Sequence, residues 1–167
     1  MDRLWGLPPR AAAQLPRLCP NLREVYADSG APADAAADLR GLAAARGLEA
    51  LCLSCMPPFA ADTKGGAEAA AALAALTGLR RLAMQLGGEL QAARNATAEL
   101  LAALTSLTRL TSLTVAAGYD GRAPPPLRGC PDSLAELALG NSHAVWGAPA
   151  LEGVPPLPGV TKLQLHG

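Results

Sequence analysis

One phrase recurs along this chain, an apolar triplet spaced Leu-x-x-Leu-x-Leu. It occurs as Leu22/Val25/Ala27, Leu48/Leu51/Leu53, Leu79/Leu82/Met84, Leu110/Leu113/Val115, Leu134/Leu137/Leu139 and Val160/Leu163/Leu165. The middle residues advance by 26, 31, 31, 24 and 26 positions. Self-similarity at a period of this length marks a chain of stacked supersecondary units, each too small to bury its own apolar face.

The spacing inside the triplet dictates local structure. The last two apolar residues are two apart, so on an extended chain they share one face and the residue between them takes the other. A short strand follows. The first apolar residue cannot share that face and belongs in the turn leading in. Parallel neighbours need a crossover of a dozen or more residues, which the intervals supply.

Three returns carry helix signals. Asp34 is placed to cap a helix over Ala35 to Arg46, with Leu39 and Leu42 on one face. Thr63 precedes an Ala-rich run holding Leu73 and Leu76, and Asn95 precedes Ala96 to Leu104. The last two returns differ, because Pro124, Pro125, Pro126, Pro149, Pro155, Pro156 and Pro158 remove donors and set the backbone. They are expected to be extended or irregular, and an extended residue covers more distance than a helical one, which accounts for the shorter final steps.

The triplets and their period resemble leucine-rich repeats, and Cys19-Pro20-Asn21-Leu22-Arg23-Glu24-Val25 resembles the cysteine-containing variety found in the substrate-reading half of F-box proteins. Cys130-Pro131-Asp132-Ser133-Leu134 is a looser copy with one extra residue, and Leu51-Cys52-Leu53-Ser54-Cys55 sets its last cysteine one position early. The resemblance covers about Leu15 to Leu165. It implies an α/β fold: a right-handed solenoid of about six repeats with a parallel concave sheet, convex helices in the first repeats and irregular Pro-rich returns in the last. The chain departs from the pattern where Asn or Cys usually follows the strand, since Gly30, Met56, Gly87, Gly118 and Ser142 stand there. Residues 1–14 read as a lead-in too short to be an F-box, and 15–167 as the repeat domain. No polar capping unit follows Leu165, so the array reads as truncated, with a C-terminal edge open to self-association or further repeats.

Composition narrows the partners. Fourteen basic and 14 acidic side chains in 167 residues, with no block of like charge, give no footprint for nucleic acid or an anionic membrane. No apolar run approaches a membrane span, and Met1 to Pro9 lacks the long apolar stretch of a signal peptide, so a cytoplasmic protein is expected.

Chemistry-bearing residues are sparse. Cys52 and Cys55 form a C-x-x-C, but Cys52 lies between two core leucines on the outward face, whereas redox thiols sit where a helix N-terminus lowers their pKa. Zinc would need two more ligands, and Cys19 and Cys130 belong to the first and fifth repeats. His143 and His166, the only histidines, have no acidic or thiol partner in the sequence around them. Asn95-Ala96-Thr97 fits a glycosylation acceptor, which would suit an extracellular receptor fragment, although Asn95 also serves as a helix cap. Gly65-Gly66 and Gly87-Gly88 lack the Lys-Ser or Lys-Thr of a phosphate loop. The expectation is therefore no catalysis, no metal and no cofactor.

What remains is recognition. Residues flanking the core leucines should project from the concave face, the surface by which solenoids bind. They include Glu24, Tyr26 and Asp28; Cys52 and Ser54; Arg81, Ala83 and Gln85; Ser112, Thr114 and Ala116; Glu136, Ala138 and Gly140; and Lys162, Gln164 and His166. Of these, Glu24, Tyr26, Asp28, Arg81, Gln85, Thr114, Lys162 and Gln164 are the expected contacts with a protein partner. Tyr26 and Arg81 lead, because binding energy concentrates in aromatic and Arg anchors. A substrate-reading role in a ubiquitin ligase is the function the F-box resemblance implies.

Overall fold

The computed structural model describes residues 3–7, 14–28, 32–56, 64–86, 103–117, 130–141 and 156–166. Seven strands form one parallel sheet in chain order: β1 Arg3–Leu7, β2 Glu24–Asp28, β3 Ala50–Met56, β4 Arg81–Leu86, β5 Ser112–Ala117, β6 Glu136–Asn141 and β7 Lys162–His166. Three helices are described: α1 Leu15–Leu18, α2 Pro32–Leu42 and α3 Lys64–Ala74, with a 3-10 turn at Leu104–Ser106. The chain is thus an α/β protein.

Every triplet places its last two residues in a strand, and the strands align so that triplets meet. Val25, Leu51, Leu82, Leu113, Leu137 and Leu163 are register partners across the sheet, as are Ala27, Leu53, Met84, Val115, Leu139 and Leu165. These two apolar ladders cover one face. From β2 to β6 they are buried and join a single core with Leu39 and Leu42 of α2, with Leu73 of α3 and with Leu76 just beyond it. Each such leucine withdraws enough apolar surface to stabilise the fold by roughly 1.5–3 kcal/mol. At β7 the cover thins, and Leu163 is 47% exposed.

The first residue of each triplet enters through one repeated turn. The backbone N–H groups of Leu22, Leu48, Leu79, Leu110, Leu134 and Val160 donate to the carbonyls of Cys19, Ala45, Leu76, Leu107, Pro131 and Leu157 at 2.9 to 3.1 Å. The carbonyl before each strand then accepts from two successive N–H groups of the next repeat. Arg23 accepts from Glu49 and Ala50, Glu49 from Arg80 and Arg81, Arg80 from Thr111 and Ser112, Thr111 from Ala135 and Glu136, and Ala135 from Thr161 and Lys162. Both lone pairs of the oxygen are used, so the turns stack with the same regularity as the strands.

The structure adjusts several expectations. The first expected helix does not run from Ala35 to Arg46 behind an Asp34 cap; it is α2, which begins at Pro32 and ends at Leu42. Proline suits a first turn because its φ is already helical and the N–H it lacks has no partner there. Beyond Leu42 the chain is drawn into the turn that delivers Leu48, with Ala45 N–H on Leu42 O at 2.8 Å. The second expected helix is α3, Lys64–Ala74, which follows Thr63 and holds Leu73 but stops short of Leu76. Residues 96–102 of the third expected helix lie outside the described residues, as do the proline clusters at 124–126, 149 and 155. Pro156 and Pro158 lie in a non-helical approach to β7. Residues 3–7, within the expected lead-in, form a strand paired with β2. The looser cysteine copy is also resolved: Pro131, not Cys130, occupies the turn position that Cys19 holds in the first repeat.

Candidate interaction face

The face of the sheet opposite the core carries the residues between and before the apolar ladders. Register defines three rows. The first runs Glu24, Ala50, Arg81, Ser112, Glu136, Lys162, the second Tyr26, Cys52, Ala83, Thr114, Ala138, Gln164. The third holds Asp28 beside Ser54, and Gln85 beside Ala116, Gly140 and His166. Between Leu53 and Met56 the register shifts against Met84 and Leu86, so Ser54 and Cys55 together oppose Gln85. This bulge breaks the third row between β3 and β4 and leaves the first two continuous.

The first row is bound by charge. Arg81 Nη2 lies 2.5 Å from Glu24 Oε1, across the small side chain of Ala50 on the intervening strand. Lys162 Nζ lies 3.7 Å from Glu136 Oε1, and Ser112 Oγ donates to Glu136 Oε2 at 3.4 Å. One position earlier, Arg23 Nη1 meets Glu49 Oε1 at 3.0 Å, a pair the sequence pattern did not suggest. Apart from Glu24, the charged partners are exposed, and such pairs contribute at most about 1 kcal/mol each, so they order the surface more than they stabilise it.

Where the first two rows cross β2 to β5, the face sinks into a depression of about 210 Å³. Val25, Tyr26, Ala50, Leu51, Cys52, Arg81, Leu82, Ala83, Ser112 and Thr114 line it. Alanines 50 and 83 supply little bulk, so the wall between Tyr26 and Thr114 is low.

The expected contacts are thus divided. Tyr26, Arg81 and Thr114 come together at this depression, with Glu24 behind Arg81. Lys162 and Gln164 stand on β7, two strands beyond Thr114. Gln85 is exposed near the far end of β4, and Asp28 pairs with Ser54 in register at the end of β2. Ala50 was not among the expected outward residues, although it precedes Leu51 just as Glu24 precedes Val25.

Neither Cys52 nor Cys130 is an activated thiol. Burial pushes the Cys52 thiol up from its ordinary value and the Cys130 thiol up to about 11, the direction opposite to that of a nucleophilic thiolate. Cys130 packs against the core. The side chain of Cys55 lies outside the described residues. Among the described residues, no helix is long and apolar enough to cross a membrane.

Comparisons with known proteins add nothing to this geometry. No protein-family model, curated protein or solved structure matches the chain.

Proposed function

We propose that the chain is a leucine-rich-repeat solenoid whose role is to bind a protein partner through the open face of its sheet, without catalysis. The observation that carries this reading is the depression between β2 and β5, where the two strongest expected anchors, Tyr26 and Arg81, line one hollow. Aromatic and Arg side chains dominate the energetics of protein interfaces, and small neighbours such as Ala50 and Ala83 let a partner approach closely. In-register triplets and repeated turns support the solenoid assignment.

The test is affinity capture from native cells with the wild-type chain and with Tyr26→Ala and Arg81→Ala variants whose folding is verified by circular dichroism. Partners retained by the wild type and lost by both variants support the reading. A partner set unchanged by both substitutions refutes it.

A further inference from the structure

The depression is selective in charge. Arg81 is the only one of its ten lining residues with a formal charge. Glu24, which accepts from Arg81 Nη2, is not among them; its side chain is only 12% exposed, whereas that of Arg81 is 60% exposed. The carboxylate therefore sits behind the guanidinium and fixes its direction, while most of the guanidinium faces solvent. A guanidinium carries five N–H donors in a planar fork, and Glu24 engages one nitrogen. Across the hollow, the half-buried Thr114 hydroxyl has no hydrogen-bond partner among the described residues. The hollow thus offers hydrogen-bond donors to an incoming group and apolar methyls on the floor between them.

We propose that this depression receives an acidic side chain of the partner protein, its carboxylate on the outward nitrogens of the Arg81 fork and its methylene stem over Ala83. The inference rests on the partner-binding reading and adds the chemistry of the group bound. An orienting carboxylate that is itself withdrawn from solvent pre-pays the ordering of a long flexible side chain, which is where preorganisation gains affinity. Carboxylate, like phosphate, matches a planar fork in two parallel hydrogen bonds, and among unmodified side chains Asp and Glu carry it.

Selection of random peptides on the full chain tests it, using a selected peptide as the probe. The selected peptides should share an Asp or Glu at one position. Replacing that residue by its amide should weaken binding about tenfold, and Arg81→Gln should weaken it by the same factor. The two changes together should cost no more than either alone, since both remove one contact. Glu24→Gln keeps an acceptor for Arg81 but removes the competing charge, so it should tighten binding severalfold. Peptides that bind through Tyr26 but share no acidic residue, and that are indifferent to Arg81→Gln, overturn the acidic-side-chain inference and leave the interaction face standing. Peptides whose binding ignores Tyr26, Arg81 and Thr114 alike overturn both.

Discussion

Glu24 and Arg81 form an ion pair although a whole strand separates them. They stand on β2 and β4, and Ala50 on β3 is the register partner of both. Neighbouring strands are about 4.8 Å apart, so the pair spans about twice that distance, which an Arg side chain can cover only if nothing tall stands between. Ala50→Leu is therefore expected to lift Arg81 off Glu24 and fill the depression. Because Ala50 is on the solvent side of the sheet, thermal stability should change by no more than about 0.5 kcal/mol, while partner or peptide binding falls about tenfold or more. Retained affinity in a folded Ala50→Leu chain would show that the hollow is not where binding occurs.

Leu113 and Leu163 share one ladder, joined through Leu137, yet differ in environment. Leu113 is fully buried and Leu163 is 47% exposed. Truncating a buried leucine forfeits its transfer energy and leaves a cavity, whereas a half-exposed one forfeits part of the first and little of the second. Urea denaturation should give a loss of about 2–5 kcal/mol for Leu113→Ala and less than about 1.5 kcal/mol for Leu163→Ala. Equal losses would mean that the edge strand is as tightly packed as the centre.

Two glycines at the same turn position should respond in opposite ways to alanine. A Cβ at Gly159 would lie 2.6 Å from the Asp132 carbonyl oxygen and 2.9 Å from that of Leu134, and backbone cannot give way cheaply. A Cβ at Gly47 would meet only the Leu22 carbonyl oxygen, at an ordinary 3.6 Å. Neither residue has the positive φ that would strain alanine. Gly47→Ala should stabilise the chain by about 0.4–1 kcal/mol through the lost freedom of the unfolded state, and Gly159→Ala should destabilise it by about 1–3 kcal/mol. At the matching position of the fifth repeat, Ser133 Oγ instead donates to the Leu110 carbonyl at 2.8 Å, so Ser133→Ala should cost about 1 kcal/mol. Melting temperatures of the three variants decide the order.

The strands and their inward faces were legible because period-2 burial leaves a mark in residue type, and Leu-x-x-Leu-x-Leu is that mark. The turn that introduces each triplet was not. It rests on a carbonyl three residues back, a group every residue owns, so Cys19, Ala45, Leu76, Leu107, Pro131 and Leu157 fill the position without a common side chain. β1 escaped for a related reason: Arg3–Leu7 carries Gly6 and no triplet, and its partnership with β2 is made by backbone. The outward residues were readable one strand at a time. That Tyr26, Arg81 and Thr114 meet, while Gln85 does not join them, depends on register between strands about a full repeat apart and on the bulge at Ser54 and Cys55.

Cys130 makes stability depend on alkaline pH. Its burial raises the folded-state thiol to about 11, while in the unfolded chain it ionises in the ordinary thiol range. Below that range both states hold the proton and pH has no effect through this group. Between it and about 11 the unfolded chain releases a proton that the folded chain keeps, so rising pH favours unfolding. Cys52, shifted in the same direction by burial, adds to the slope. Cys130→Ala removes the first contribution: its urea midpoint should lie below the wild type at neutral pH, since Cys130 packs against the core, and the gap should narrow as pH rises above about 9. Midpoints that fall in parallel for the two chains would assign the alkaline loss to other groups and place the Cys130 thiol within reach of solvent.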